Sequence, residues 1–252
     1  MNNRLFPLLI FLLGVAQPLA GALAPAFGIG TPIGDATAGS AAPEQPLPAF
    51  FSIWGVIFAA YTALGVAGLW RPDQWPAPLG LPLVLAGAGN IIWMLSAQLI
   101  GSQPLDFVLL APILVCAWWA AREAEALRGT RSLSVYLGDA ASGLLAGWIS
   151  VAAAISIPLT VRSLTWLEPT DFPWPMFWST ILTAALLAWI FASRISGSLW
   201  YFVAAGWGLL GIAFHNWLET GMHLIGHFTA GCLILLLTLR LTRGAKAGKR
   251  AA

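Results

Sequence analysis

The chain has little charge. Only 9% of its 252 residues are Asp, Glu, Lys or Arg, against about 25% in an ordinary soluble domain, and this excludes a water-facing globular surface. Cysteine is nearly absent. Cys116 and Cys232 each sit inside an apolar run, so no disulfide framework or zinc motif follows, and both are expected to be small packing residues. No G-x-x-x-x-G-K-[ST] stretch, no nucleotide-binding glycine pattern and no H-E-x-x-H motif occurs, which argues against phosphate-cradling and zinc-peptidase chemistry. No nucleophile with a base and an orienting group can be picked out, so the chain is not expected to be an enzyme.

Tryptophan and apolar runs are what the chain has in abundance. It carries 14 tryptophans and is 59% hydrophobic, with a mean hydropathy of +0.81. Several runs approach the ~20 residues that cross a bilayer as helix. The fold class is therefore all-α, a polytopic integral membrane helix bundle. Eight transmembrane helices are expected near 5–24, 48–70, 81–101, 105–121, 140–161, 176–193, 198–216 and 222–241. The run from Arg122 to Ser134 is the only strongly polar connection.

An even number of spans puts both termini on one side. On that side fall Arg4, Arg71, Arg122, Arg128, Arg131, Arg194, Arg240, Arg243, Lys246, Lys249 and Arg250, eleven of the 12 basic residues. The other side has Arg162 with Asp35, Glu44, Asp106, Glu168, Asp171 and Glu219. By the positive-inside rule both termini are cytoplasmic. The expected location is the bacterial inner (cytoplasmic) membrane. The basic stretch from Arg240 to Arg250 reads as an anchor near anionic lipid, not as a nucleic-acid arm. The first helix also has the look of a secretory signal, with Arg4 before an apolar core and small residues at Ala20–Ala24. Pro25 disfavours cleavage after Ala24, and a retained helix is expected; cleavage would leave seven helices in the same orientation.

Indole suits the headgroup belt or the wall of an apolar pocket. With these spans Trp70, Trp75, Trp166, Trp174, Trp178, Trp200 and Trp217 fall at helix ends or in loops, and Trp118, Trp119 and Trp189 lie within a turn or so of one. Trp54, Trp93, Trp148 and Trp207 remain at membrane depth, where each N–H needs a partner or a ligand-filled cavity. Polar residues accompany them at helical spacing: Ser52 and Tyr61 with Trp54, Asn90 and Gln98 with Trp93, and Ser142, Ser150 and Ser156 with Trp148. Such faces either glue helices together or line a pocket. Gly87, Gly89 and the Gly143-xxx-Gly147 pair read as close-approach surfaces, and Pro158 is expected to kink its helix by freeing the carbonyl of Ala154.

The histidines are the other cluster. His215, His223 and His227 follow one another with Glu219 between the first two, four residues apart throughout. A turn near Glu219–Gly221 would end one helix at His215 and begin another with His223 and His227. The four side chains either share a wet interface or hold a transition metal, and one His could ligate a pigment ring.

The segment Phe50-Phe51-Ser52-Ile53-Trp54-Gly55-Val56-Ile57-Phe58 resembles the F-S-I-W-G-x-I-Y signature of the tryptophan-rich sensory protein (TspO/MBR) family, which includes the mitochondrial translocator protein. Asn90-Ile91-Ile92-Trp93 is similar to the family's L-N-x-x-W segment. Gly143-Leu144-Leu145-Ala146-Gly147-Trp148-Ile149-Ser150-Val151-Ala152 is similar to its G-L-Y-x-G-W-x-T-x-A segment. The resemblance implies a TspO/MBR-like five-helix core over 1–161, followed over 162–252 by an additional three-helix membrane region with the basic cytoplasmic tail. It implies a non-enzymatic sensor, receptor or transporter-like protein, binding a flat apolar ligand such as a porphyrin-type tetrapyrrole or an isoprenoid. The residues that carry over are Trp54, Phe58, Tyr61, Asn90, Trp93 and Trp148, with the rings stacking on the ligand and Asn90 and Tyr61 fixing its polar edge. The family's tryptophan-bearing lid loop is absent: Pro25 to Pro48 is Gly-, Ala- and Pro-rich. The family's Asn late in the fifth helix is replaced near Ile155 and Ser156. Two other readings stay open, a metal- or pigment-binding protein using His215, Glu219, His223 and His227, and a structural subunit of a larger membrane complex. The expected partners are the lipid bilayer, an apolar small molecule, and either a second copy in a homodimer or a larger membrane complex.

Overall fold

The structure, a computed structural model, describes residues 4–33, 39–130 and 132–244. Asp35, Arg131, Lys246, Lys249 and Arg250 of the charge pattern lie outside the described residues. Among the described residues there is no strand. The helices are α1 (Leu5–Gly21), α2 (Leu23–Phe27), α3 (Ile53–Trp70), α4 (Gly80–Leu99), α5 (Gln103–Ala126), α6 (Leu133–Thr165), α7 (Pro173–Ile190), α8 (Leu199–Leu218) and α9 (His223–Leu239). A 3-10 turn over Pro48–Ser52 leads into α3, and a π turn over Phe191–Ile195 closes α7.

Each of the eight apolar runs forms a helix. Six helical stretches, Pro48–Trp70, Ala77–Leu99, Gln103–Ala126, Leu133–Thr165, Pro173–Ile195 and His223–Thr242, are long and apolar enough to cross a membrane, and α1 is a shorter apolar helix. The 20-residue α8 carries His215 and Asn216 near its end and falls outside that set.

The ends of two helices differ from expectation. The fourth run continues as helix to Ala126, and the fifth starts at Leu133, not near 140. The polar connection thus shrinks to a few residues. Hydropathy marks where a chain leaves the bilayer, whereas a helix stops where its backbone hydrogen bonds stop. Ala120-Ala121-Arg122-Glu123-Ala124-Glu125 is a run of strong helix formers that carries α5 onward. The 33 residues of α6 are about 50 Å of helix at ~1.5 Å per residue, well beyond a ~30 Å hydrocarbon core. The helix runs through Pro158 without ending.

α6 is the central element, packed against α3, α5, α7 and α8, while α1 lies against α3 and α4. Association in lipid rests on close contact between small residues, since the surroundings are as apolar as the side chains. Gly143 faces the Ser198 side chain and Gly147 the Tyr201 carbonyl, so α6 and α8 meet backbone to backbone with no room for a Cβ. Gly14 and Gly65 do the same between α1 and α3, against Thr62 and Phe11.

At one end of the bundle the described parts of the connection between α2 and α3, residues 28–33 and 39–47, fold inward. Gln98 gathers it: its amide donates to the Ala20 carbonyl at 2.8 Å, and its Oε1 accepts from the Ala24 N–H at 3.0 Å. Thr31 N–H donates to the Gln98 carbonyl at 3.0 Å, and Gly30 (φ +78°) presses on that same carbonyl, a position only glycine can take. Further along, Asn216 donates to the Pro43 carbonyl at 2.7 Å and Leu47 N–H to the Gly211 carbonyl at 3.0 Å. Glu44 is fully buried and pairs with Arg162 at 2.9 Å. The same guanidinium donates to the carbonyls of Glu168 and Asp171. This explains the one basic residue that the charge pattern leaves on the acidic side.

Candidate ligand site among the tryptophans

Trp54 stands on α3, Trp93 on α4 and Trp148 on α6, and the packing of these helices brings all three indoles together. Trp54 is the hub. Its ring centroid lies 5.7 Å from Phe58 in a stacked pair, 5.7 Å from Trp93, and 6.1 Å from Trp148 edge to face. Phe51, at the 3-10 turn before α3, meets Trp148 edge to face at 5.6 Å. Each such pair adds about 0.5–1.5 kcal/mol beyond area burial.

In front of this cluster is a cavity of about 270 Å³. Trp93 and Ala97 of α4 form one wall, Asp106 and Leu110 of α5 another, and Trp148, Ala152, Ile155, Ser156 and Leu159 of α6 a third. Thr31, Ile33, Pro46 and Phe51 from the inward-folded segment close it. On α6 the lining positions follow the 3–4 spacing of one helix face. Ile155 and Ser156 both line it.

The six residues expected at the pocket therefore divide. Trp93 and Trp148 line the cavity. Trp54 and Phe58 stand behind them as a stacked support. Tyr61 and Asn90 are not among the residues that line this cavity. Tyr61 is fully buried with its hydroxyl on the Leu83 carbonyl at 3.3 Å, and Asn90 donates to Gln17 Oε1 at 2.8 Å. Each thus donates a hydrogen bond to a neighbouring helix, while Asn90 Oδ1 is buried without a partner among the described residues. Trp207 also leaves the set, because its Nε1–H donates to the Phe50 carbonyl at 2.7 Å. The indole N–H groups of Trp54, Trp93 and Trp148 are buried and have no partner among the described residues.

Sequence reasoning missed Asp106, the one carboxylate on the cavity wall among the described residues. It sits in the first turn of α5, where a negative charge is favoured by the helix dipole, and Ser96 Oγ donates to its Oδ1 at 3.2 Å. The clue was present in Ser102-Gln103-Pro104, a helix-start pattern two residues before the acid. Thr31, Ile33 and Pro46 left no such signal, because only the fold carries them to the cavity mouth.

The tryptophans assigned to helix ends are not all surface anchors. Trp70 and Trp166 are exposed, but the Nε1 atoms of Trp75, Trp118 and Trp217 are buried, and Trp217 packs its indole on Gly226.

The turn at Glu219–Gly221 falls as expected, ending α8 and opening α9. It separates the histidines, however. His215 is fully buried with Nδ1 3.0 Å from Glu219 Oε2. His223 and His227 are exposed, and His227 Nδ1 lies 2.6 Å from the His223 carbonyl. Among the described residues no three His, Cys, Asp or Glu side chains come together as a group that could hold a metal. Two histidines a turn apart on α9 share a face, but His215 points into the core on α8. The four side chains are thus two separate pairs, the buried His215 with the exposed Glu219, and His223 with His227 on the surface. Both cysteines are free thiols, half-buried in helices.

Fold and site together define a helical integral membrane protein with a tryptophan-walled internal cavity. A family model for TSPO-like proteins matches residues 20–242. The chain belongs to the TSPO-like family. The match runs through α9 and past the segments at Trp54, Trp93 and Trp148. No curated protein and no solved structure matches it.

Proposed function

We propose that this protein is a membrane receptor or transporter-like protein that binds an apolar small molecule between Trp93 and Trp148. The observation that carries the reading is the pair of buried indoles on the cavity wall with unpartnered N–H groups. A bare donor in hydrocarbon costs several kcal/mol by the usual scale, and a ligand bearing an acceptor oxygen or nitrogen removes that cost. Trp93 and Trp148 then supply flat faces and donors together, Trp54 and Phe58 hold them rigid, and Asp106 and Ser156 give the ligand's polar edge a second contact. The activity is binding and release, with no covalent step.

Ligand size follows from the space. Small-molecule pockets usually span about 300–1,000 Å³, so 270 Å³ takes an isoprenoid fragment or a single ring system as it stands. A tetrapyrrole enters only if the segment bearing Thr31, Ile33 and Pro46 swings outward. The reading has all eight long helices crossing a bacterial inner membrane, with the basic end in the cytoplasm and the cavity mouth on the opposite side. Its support is the charge pattern, together with the burial of the single discordant cation, Arg162, against Glu44.

The test is titration of the purified protein in detergent with a porphyrin and with a short isoprenoid, following indole emission. Saturable quenching that is lost in Trp148→Ala and Trp93→Ala is expected. Quenching of equal size in both variants would sink the reading.

A further inference from the structure

Among the described residues that line the Trp93–Trp148 cavity, Asp106 is the only one with an ionisable side chain. It stands in the first turn of α5 and is 7% exposed. Ser96 Oγ donates to its Oδ1 at 3.2 Å, whereas no described residue donates to Oδ2. No described Lys, Arg or His forms an ion pair with it.

The surrounding elements supply no free cation. α3, α4 and the whole sequence from Gly28 to Leu47 contain no Lys, Arg or His. The first basic residue of α5 is Arg122, about four turns further along the helix. On α6 the basic residue beyond the cavity is Arg162, which is held by Glu44 and by the carbonyls of Glu168 and Asp171. Asp106 is thus a buried carboxyl group whose charge nothing in its surroundings balances. One serine hydroxyl and the helix dipole favour the anion, but an enclosed charge remains costly until a cation joins it.

The rest of the wall indicates what kind of cation. Phe51, Trp93 and Trp148 place three aromatic rings around the same space, and aromatic rings attract a positive charge over their faces. A hard metal ion needs six or so oxygen ligands, which a wall made mostly of aromatic and aliphatic side chains does not offer. The Ser156 hydroxyl already donates to the Ala152 carbonyl at 2.8 Å. The cation has to bring its own apolar body.

We propose that the cavity selects lipophilic amines, molecules with a short apolar chain or a single ring and a protonated amino group. The ammonium donates to Asp106 Oδ2, and the apolar body lies against Trp93 and Trp148. The inference rests on the binding role given to this cavity above and narrows its ligand from any apolar molecule to a cationic one. A neutral molecule of the same shape fills the same space and leaves the carboxylate uncompensated.

The experiment is equilibrium dialysis of the full-length purified protein in a nonionic detergent, with protein-free detergent as the blank. The probes are geranylamine, protonated at neutral pH, and geraniol, the same carbon skeleton ending in a hydroxyl. The wild type is expected to bind the amine about tenfold or more tightly than the alcohol, the usual scale for a hydrogen bond to a charged group. Asp106→Asn keeps the shape and removes the charge, and should bring the two affinities within about twofold of each other. Trp148→Ala should weaken both probes together, because it removes wall and not charge. Equal wild-type affinities, both lost in Trp148→Ala, would overturn the amine inference and leave the cavity as a binding site. A preference for the amine that survives Asp106→Asn would do the same. Binding undiminished in Trp148→Ala, or no binding of either probe above the blank, would overturn both readings. The wild-type ratio decides the matter even if Asp106→Asn does not fold.

Discussion

Glu44 and Arg162 form a buried ion pair at 2.9 Å that ties the segment between α2 and α3 to the far end of α6. Pro46, two residues from Glu44, lines the Trp93–Trp148 cavity, so the ion pair fixes that part of the cavity's cover. Breaking a buried pair by removing one partner leaves an uncompensated charge and costs about 3–5 kcal/mol. Glu44→Ala is therefore expected to lower the thermal midpoint in detergent substantially. Because the cover loosens, it should also speed ligand release at the Trp93–Trp148 cavity. Stopped-flow dissociation of a bound fluorescent ligand gives the second readout.

Trp148 and Trp207 make a matched pair of substitutions. Both are deep tryptophans by sequence, but only Trp148 faces the cavity, whereas Trp207 donates to the Phe50 carbonyl. Trp207→Phe should cost about 1–3 kcal/mol of stability, the usual penalty for stranding a hydrogen-bond partner, with ligand affinity unchanged. Trp148→Phe should weaken binding about tenfold or more while the folded state survives. Parallel melting curves and binding isotherms decide between this and equal effects.

Asn90→Leu gives a sharper check on the division of the six expected residues. Asn90 binds Gln17 across α1 and α4 at 2.8 Å and lies away from the cavity lining. The substitution strands the Gln17 Oε1 at a cost of about 1–3 kcal/mol. Chemical unfolding should register that loss, and binding of a short isoprenoid should stay within twofold of wild type. A tenfold loss of binding at unchanged stability would return Asn90 to the ligand edge.

Gly147 and Gly55 differ in what surrounds them. A side chain at Gly147 meets the Tyr201 carbonyl, while nothing lies within 4 Å of a Cβ at Gly55. Gly147→Leu is expected to destabilise by about 1–3 kcal/mol or more through overpacking at the α6–α8 contact. Gly55→Leu should fall within about 0.5 kcal/mol of wild type. Thermal midpoints of the two variants in one detergent test the contrast.

Much of the architecture was legible before folding. Apolar run length located every long helix, because a segment that crosses lipid must satisfy its backbone internally and needs a fixed number of residues to do so. The ends of α5 and α6 were not legible in the same way, since Ala120 to Ala126 and Leu133 to Asp139 are helix outside the apolar stretch. The indole cluster was half legible. Spacing put Trp54, Trp93 and Trp148 on plausible faces, but the same logic admitted Trp207, Tyr61 and Asn90.

What the sequence by itself determined is the class: a low-charge, tryptophan-rich helical membrane protein whose motifs at Trp54, Trp93 and Trp148 point to the TSPO-like family. Composition and run length suffice for the membrane class, because bilayer thickness and helix rise are constants that any span must obey, while the family rests on the resemblance of those motifs. What only the tertiary structure decided is which polar groups are already paired. Asn90 finds Gln17 73 positions away and Trp207 finds Phe50 157 positions away, whereas the indole N–H groups of Trp93 and Trp148 have no partner among the described residues. Hydrogen bonding between helices depends on distances across the packed bundle, and those distances bear no relation to spacing along the chain.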